Sequence, residues 1–226
     1  VGSGFDEKIA QLKRRLFREA TTVIDMLERS LDALWRLDTD LAAAVRYRDD
    51  RIDLEEVEIE QQCYVLLTLG QPVARDFRSL AFILKVNSDL ERVADHAVSI
   101  AKVVSSLDGR ARSLWPTSLS ELRDRVPMMC HSLMRAVLDE DSDAARDLVS
   151  SDKVIDRLDR RLFVEVAEMM RRDPELIEDG ILLYRVSREL ERVGDLMANI
   201  AEDVVYLVTG EIVRHAHRDR PRATGT

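Results

Sequence analysis

Two thirteen-residue strings in this chain, one hundred residues apart, agree at seven positions. Residues 89–101 read Asp-Leu-Glu-Arg-Val-Ala-Asp-His-Ala-Val-Ser-Ile-Ala, and residues 189–201 read Glu-Leu-Glu-Arg-Val-Gly-Asp-Leu-Met-Ala-Asn-Ile-Ala. The apolar frame repeats without a slip: Val86, Leu90, Val93, Ala97, Ile100 and Val104 match Val186, Leu190, Val193, Met197, Ile200 and Val204. Steps of four and three residues trace a heptad seam along one side of a helix. A weaker echo, offset by 103, relates Asp49-Asp-Arg-Ile-Asp53 to Asp152-Lys-Val-Ile-Asp156. Duplication of a helical unit is the simplest cause.

Helix breakers are scarce. The chain has 226 residues with only 8 Gly and 5 Pro, and these sit where the helical patterns stop. Gly70 with Pro72, Gly109 with Pro116, Pro174 with Gly180, and Gly210 mark the breaks. The patterning predicts six helices, over about 5–37, 39–69, 73–107, 117–139, 141–172 and 175–209. Pro127 falls inside the fourth, which predicts a later start or a kink there. A thirty-residue helix is about 45 Å long and stands in water only by bundling along its apolar stripe. The expected fold is all-α, with six long helices in two tandem three-helix bundles over 5–109 and 115–210; residues 211–226 are expected to be a disordered tail.

Charge narrows the function. Lys plus Arg number 34 and Asp plus Glu 43, a net charge of −9. An acidic chain of this kind is suited to cations or basic partner surfaces rather than to nucleic acid. No apolar run reaches the ~18 residues of a membrane span. Cys63 and Cys130 are too few for a disulfide framework and fit buried thiols. Val1-Gly2-Ser3-Gly4 lacks the charged and apolar regions of a secretion signal, so the expected compartment is the cytoplasm.

Four acidic pairs have i,i+4 spacing: Asp49 with Asp53, Glu91 with Asp95, Asp152 with Asp156, and Glu191 with Asp195. Each pair lies on one side of its helix, outside the seam. Each costs its helix about 0.2–0.5 kcal/mol through repulsion. Two kinds of cation would relieve this. Arg92 is three residues from Asp95 and Arg192 three from Asp195; alternatively, carboxylate oxygens on adjacent helices suit iron, manganese, magnesium or calcium. The residues alone leave open a third reading, a helical scaffold with merely solvated acids. A metal-dependent hydrolase is a further alternative, but no nucleophile or base is repeated beside the acids.

Other chemistry finds no support in the sequence. There is no Gly-rich phosphate loop, and none of His96, His131, His215 and His217 has Glu three residues before it, as a ferritin-like di-iron site requires. His96 is expected at the surface and His215 with His217 in the tail. Trp35 and Trp115 are expected to cap the core, and Lys13-Arg14-Arg15 to be a solvated face.

The strings Pro72-Val-Ala-Arg-Asp-Phe-Arg78, Asn87-Ser-Asp-Leu-Glu-Arg-Val-Ala-Asp-His96, Glu189-Leu-Glu-Arg-Val-Gly-Asp195 and Asn199-Ile-Ala-Glu202 resemble the PhoU family of phosphate-uptake regulators over about residues 5–209. The resemblance implies two pseudo-symmetric three-helix bundles. It also implies bound metal, iron first with manganese, magnesium, calcium or zinc as alternatives, at Asp49, Asp53, Glu91, Asp95, Asp152, Asp156, Glu191 and Asp195. It further implies a non-enzymatic negative regulator that links an ATP-binding-cassette phosphate transporter to a sensor histidine kinase, reaches the membrane only through partners, and is compatible with a homodimer. Arg75, Asp76 and Arg78 are then partner-binding candidates. Two departures stand out: Ser99 and Lys102 replace Asn199 and Glu202 in the first half, and the second half lacks the Pro-Val-Ala-Arg-Asp-Phe-Arg segment.

Overall fold

A computed structural model describes residues 2–70, 72–73, 75–107 and 115–213. The helices are α1 (Gly2–Arg36), α2 (Thr39–Tyr47), α3 (Asp49–Gly70), α4 (Arg75–Val104), α5 (Thr117–Leu138), α6 (Ser142–Arg172) and α7 (Ile177–Thr209). A single 3₁₀ turn, Pro174–Leu176, leads into α7. These form the six expected rods, with the second divided into α2 and α3. The division has no Gly or Pro behind it. The Arg48 N–H bonds the Val45 carbonyl, three residues back rather than four, while its guanidinium reaches across to Asp25 on α1.

The α1–α2 and α5–α6 connections are built alike. Leu37 and Glu140 take left-handed φ values of 55° and 47°. The following N–H groups, of Asp38 and Asp141, bond the Ala33 and Ala136 carbonyls at 2.9 Å. This is the Schellman closure of a helix C-terminus. Each aspartate then caps the next helix, Asp38 accepting from the Leu41 N–H at 2.9 Å and Asp141 from the Asp143 and Ala144 N–H groups at 3.0 Å. The duplication therefore extends to the turns.

Two breakers lie inside helices. Helix α5 runs through Pro127 with no later start; Leu122, Val126, Met129 and Leu133 on either side are buried, and Pro127 is buried with them. Gly180 lies within α7 instead of ending a helix. A Cβ at Gly180 would sit 2.7 Å from Met170 Cγ, so the glycine allows α7 to approach α6 closely.

One apolar core runs through both halves. The repeated seams of α4 and α7 pack against each other at its centre. They run antiparallel, as shown by Lys85 Nζ donating to Asp203 Oδ1 at 2.8 Å and His96 Nδ1 lying 2.7 Å from Glu189 Oε2. His96 is thus not a surface residue: its side chain is only 14% exposed. Trp35 and Trp115 also join the halves, edge to face at 5.3 Å, with Arg123 over the Trp35 ring. Arg15 is held by Glu55 and Glu58, and Lys13 lies 3.7 Å from Glu140, so two of the three basic residues at 13–15 are engaged in ion pairs. Cys63 and Cys130 are buried thiols. No helix among the described residues is long and apolar enough to cross a membrane. His215, His217 and all but the first three residues of the expected tail lie outside the described residues.

Candidate metal centre

In the second half, the acids of α6 and α7 converge. Asp152, Asp156 and Asp195 each place one carboxylate oxygen within 4.8 Å of the others, the one such group of acid, His or Cys side chains among the described residues. Helix α6 presents Asp152 and Asp156 one turn apart, flanking the buried Ile155. Helix α7 comes close because residue 194 is glycine: a Cβ there would lie 3.2 Å from Ile155 Cγ2 and 3.4 Å from Asp152 Oδ1.

Negative charge is crowded in this group. Asp152 Oδ1 is buried and accepts no hydrogen bond. Burial first, then the charges of Asp195, Asp156 and Glu191, push its carboxyl up to about 6. Burial and Asp156 also raise Asp195, against the pull of Arg188. Glu191, the fourth expected member, stands apart: Arg188 holds its Oε1 at 3.2 Å, while its Oε2 is buried without a partner. Burial raises the Glu191 carboxyl as well. Arg188 also bonds Asp159, at 2.9 Å, and Ser187 donates to the same carboxylate at 2.7 Å.

The first half has the same acids in a looser arrangement. Asp49 and Asp53 on α3 face Glu91 and Asp95 on α4, near enough to act on one another. Burial and then Asp53 and Asp95 raise Asp49, with Lys102 opposing. Burial and then Asp95, Glu56, Asp53 and Asp49 raise Glu91. Their oxygens do not meet as closely as the second trio. At the position of Arg188 this half has Ser88.

The arginines expected to relieve Asp95 and Asp195 turn the other way. Arg92 lies 3.6 Å from Asp89, and Arg192 3.8 Å from Glu189. Helical side chains lean toward the N-terminus, so an arginine meets the acid three residues before it more readily than the one after. Apart from the pull of Arg188, Asp195 is thereby left to its acidic neighbours.

Three acids missed in the sequence reading matter here. Glu56 adds charge to the first cluster, and Asp159 organises Arg188. Glu19 on α1 is 3% exposed with neither oxygen hydrogen-bonded, and burial, then Glu55 and Glu56, push it up to about 8. The signal for Glu19 was available, since it lies in the apolar stripe between Leu16 and Val23. Of the partner candidates, Arg75 donates to Glu140 at 2.8 Å, Asp76 lies in the first turn of α4, and Arg78 keeps a buried Nε without a partner.

The same pattern recurs in known proteins. The PhoU domain family matches the chain twice, over residues 16–104 and 119–204. This chain belongs to the PhoU family. Its relatives include the phosphate-specific transport system accessory protein PhoU homologs of Deinococcus radiodurans, 36% identical over 84% of this chain and 89% of that one, and of Clostridium acetobutylicum, 30% identical over 92% and 96%. Among solved structures, the phosphate transport system regulatory protein PhoU from Streptococcus pneumoniae superposes with a TM-score of 0.85 at 30% identity, covering 92% of this chain and 99% of the other. PhoU from Pseudomonas aeruginosa gives the same TM-score at 29% identity. The PhoU fold, with its two bundles, is therefore that of this chain.

Proposed function

We propose that this chain is a metal-binding regulatory accessory of phosphate transport. The observation that carries the metal reading is the convergence of Asp152, Asp156 and Asp195 around a buried oxygen with no partner. Three carboxylates without His or Cys form a hard donor set, suited to iron, manganese, magnesium or calcium. A bound cation would supply the charge that lets three adjacent carboxylates ionise together. The protein's part is geometric: Gly194 sets the helix spacing, Ile155 anchors the donors, and Arg188 draws Glu191 partly aside. Asp49, Asp53, Glu91 and Asp95 form a second, weaker site.

The regulatory half of the reading is supported by family membership and by relatives named as phosphate-transport accessory and regulatory proteins. On this reading the chain acts in the cytoplasm as a negative regulator between an ATP-binding-cassette phosphate transporter and a sensor histidine kinase, with no catalytic role. Residues 5–109 and 115–210 are then the two copies of one duplicated unit.

Calorimetric titration of chelator-stripped protein with Mn²⁺ tests the metal reading. A high-affinity event that disappears in Asp152→Asn with Asp195→Asn, and persists in Asp49→Asn with Asp53→Asn, is expected. Equal binding by both double variants, or none by the parent, would overturn it. Pull-down of the full chain with the cytoplasmic parts of the transporter and kinase tests the adaptor role; failure with both overturns it.

A further inference from the structure

Helix α3 is apolar on two opposite faces. The inner face, Ile52, Ile59, Cys63 and Leu66, is buried against the bundle. The outer face carries Leu54, Val57, Tyr64, Val65 and Leu69 along one helical stripe, with Leu54 68%, Val65 53% and Leu69 80% exposed. An exposed apolar stripe rimmed by polar residues marks an interaction surface.

The duplication supplies an internal control. With the offset of 103, the inner residues correspond to Ile155, Leu162, Val166 and Met169 on α6, also apolar and buried. The outer residues correspond to Arg157, Arg160, Ala167, Glu168 and Arg172. The bundle therefore requires only the inner stripe. On α6 the exposed large apolar residues are Phe163 and Val164 alone, so the longer row from Leu54 to Leu69 is particular to the first half.

Charge selects the occupant. Helix α3 bears seven carboxylates against the single cation Arg51. Arg15 engages two of them, Glu55 and Glu58. A second copy of α3 placed across a two-fold axis would set acid against acid, so self-association on this face is disfavoured. We propose that the outer face of α3 docks an amphipathic helix of a partner protein, an apolar stripe flanked by Lys or Arg. The stripe lies over the aliphatic row from Leu54 to Leu69, and its flanking cations face the acids. Asp49 and Asp53 are shared with the weaker metal site, and a test in chelator keeps the two readings apart.

A fluorescent three-heptad peptide with Leu at a and d and Lys at e and g is the probe, with a twin carrying Glu at e and g as control. Anisotropy is read with the full chain in chelator. The Lys peptide is expected to bind at least tenfold tighter than the Glu twin, and the preference is expected to shrink in high salt. Val65→Gln with Leu69→Gln, at exposed positions and checked for helicity by circular dichroism, is expected to weaken binding at least tenfold. Val164→Gln on α6 is expected to leave it unchanged. Equal binding of both peptides, or indifference to the α3 variant, overturns the proposal. Dimers in sedimentation that the α3 variant dissolves would assign the face to a second copy and overturn it too.

Discussion

Replacing Asp152 by Asn is predicted to stabilise the metal-free protein while abolishing its response to metal. The carboxyl moves from its ordinary 3.8 to about 6, because it is buried beside Asp195, Asp156 and Glu191. At ~1.36 kcal/mol per pKa unit, ionised Asp152 is worth about 3 kcal/mol against the fold; partial solvent access reduces this to about 1–2 kcal/mol. The sign follows from proton binding. Between pH 3.8 and about 6 the folded chain holds more protons than the unfolded one, so stability falls as pH rises and the full penalty is present at pH 7. Asn is isosteric and uncharged, and its amide can donate to Asp156 or Asp195. In chelator at pH 7 its melting temperature is expected about 2–8 °C above the parent's, at roughly 2–4 °C per kcal/mol for a chain this size. The difference is expected to vanish near pH 4. With Mn²⁺ at about 100 times its dissociation constant the parent gains about 2.7 kcal/mol and the variant nothing, reversing the order of melting. A variant less stable than the parent in chelator, or one that gains as much from Mn²⁺, would refute the reasoning.

Glu19→Gln is predicted to stabilise the protein more at pH 8 than at pH 5, because the raised carboxyl of Glu19 weakens the fold as pH rises from 4.5 through about 8; denaturant melts at the two pH values check it. His96→Leu, which copies Leu196, is expected to cost about 1–3 kcal/mol by stripping the buried Glu189 of its closest partner; urea denaturation measures it. Glu189 is pulled down overall because the His96 contact and nearby charges outweigh its burial. Its stabilising share is therefore present above pH 4.5 and is lost as pH falls through its lowered value. Asp38→Ala and Asp141→Ala are each expected to cost about 1 kcal/mol as lost N-caps, and the two losses to add in the double variant.

Much of the fold was legible because duplication repeats its seam without a slip. Residues from Val86 to Val104 and from Val186 to Val204 keep one apolar register, and that register is what packs α4 on α7. The division at Arg48 was not legible. Nothing in Tyr47-Arg48-Asp49 breaks a helix, and the cause is a shift of one hydrogen bond with a long-range pull from Asp25. His96 was misplaced for a similar reason: its partner Glu189 is 93 residues away, on the other half. That α5 starts well before Pro127 was not legible either, because local propensity cannot see the burial on both sides of the proline. The acidic pairs were legible as pairs, but their closeness depends on interhelical spacing. Gly194 provides that spacing in the second half, where the first has Ala94. The role of Arg188 at Glu191 likewise emerges only once α6 brings Asp159 alongside it.

Anomalous diffraction from crystals grown with Mn²⁺ reads the central claim most directly. The account predicts an anomalous peak between α6 and α7, bonded to oxygens of Asp152, Asp156 and Asp195. A map with no peak there, or with those carboxylates bonded only to arginine or water, would contradict it.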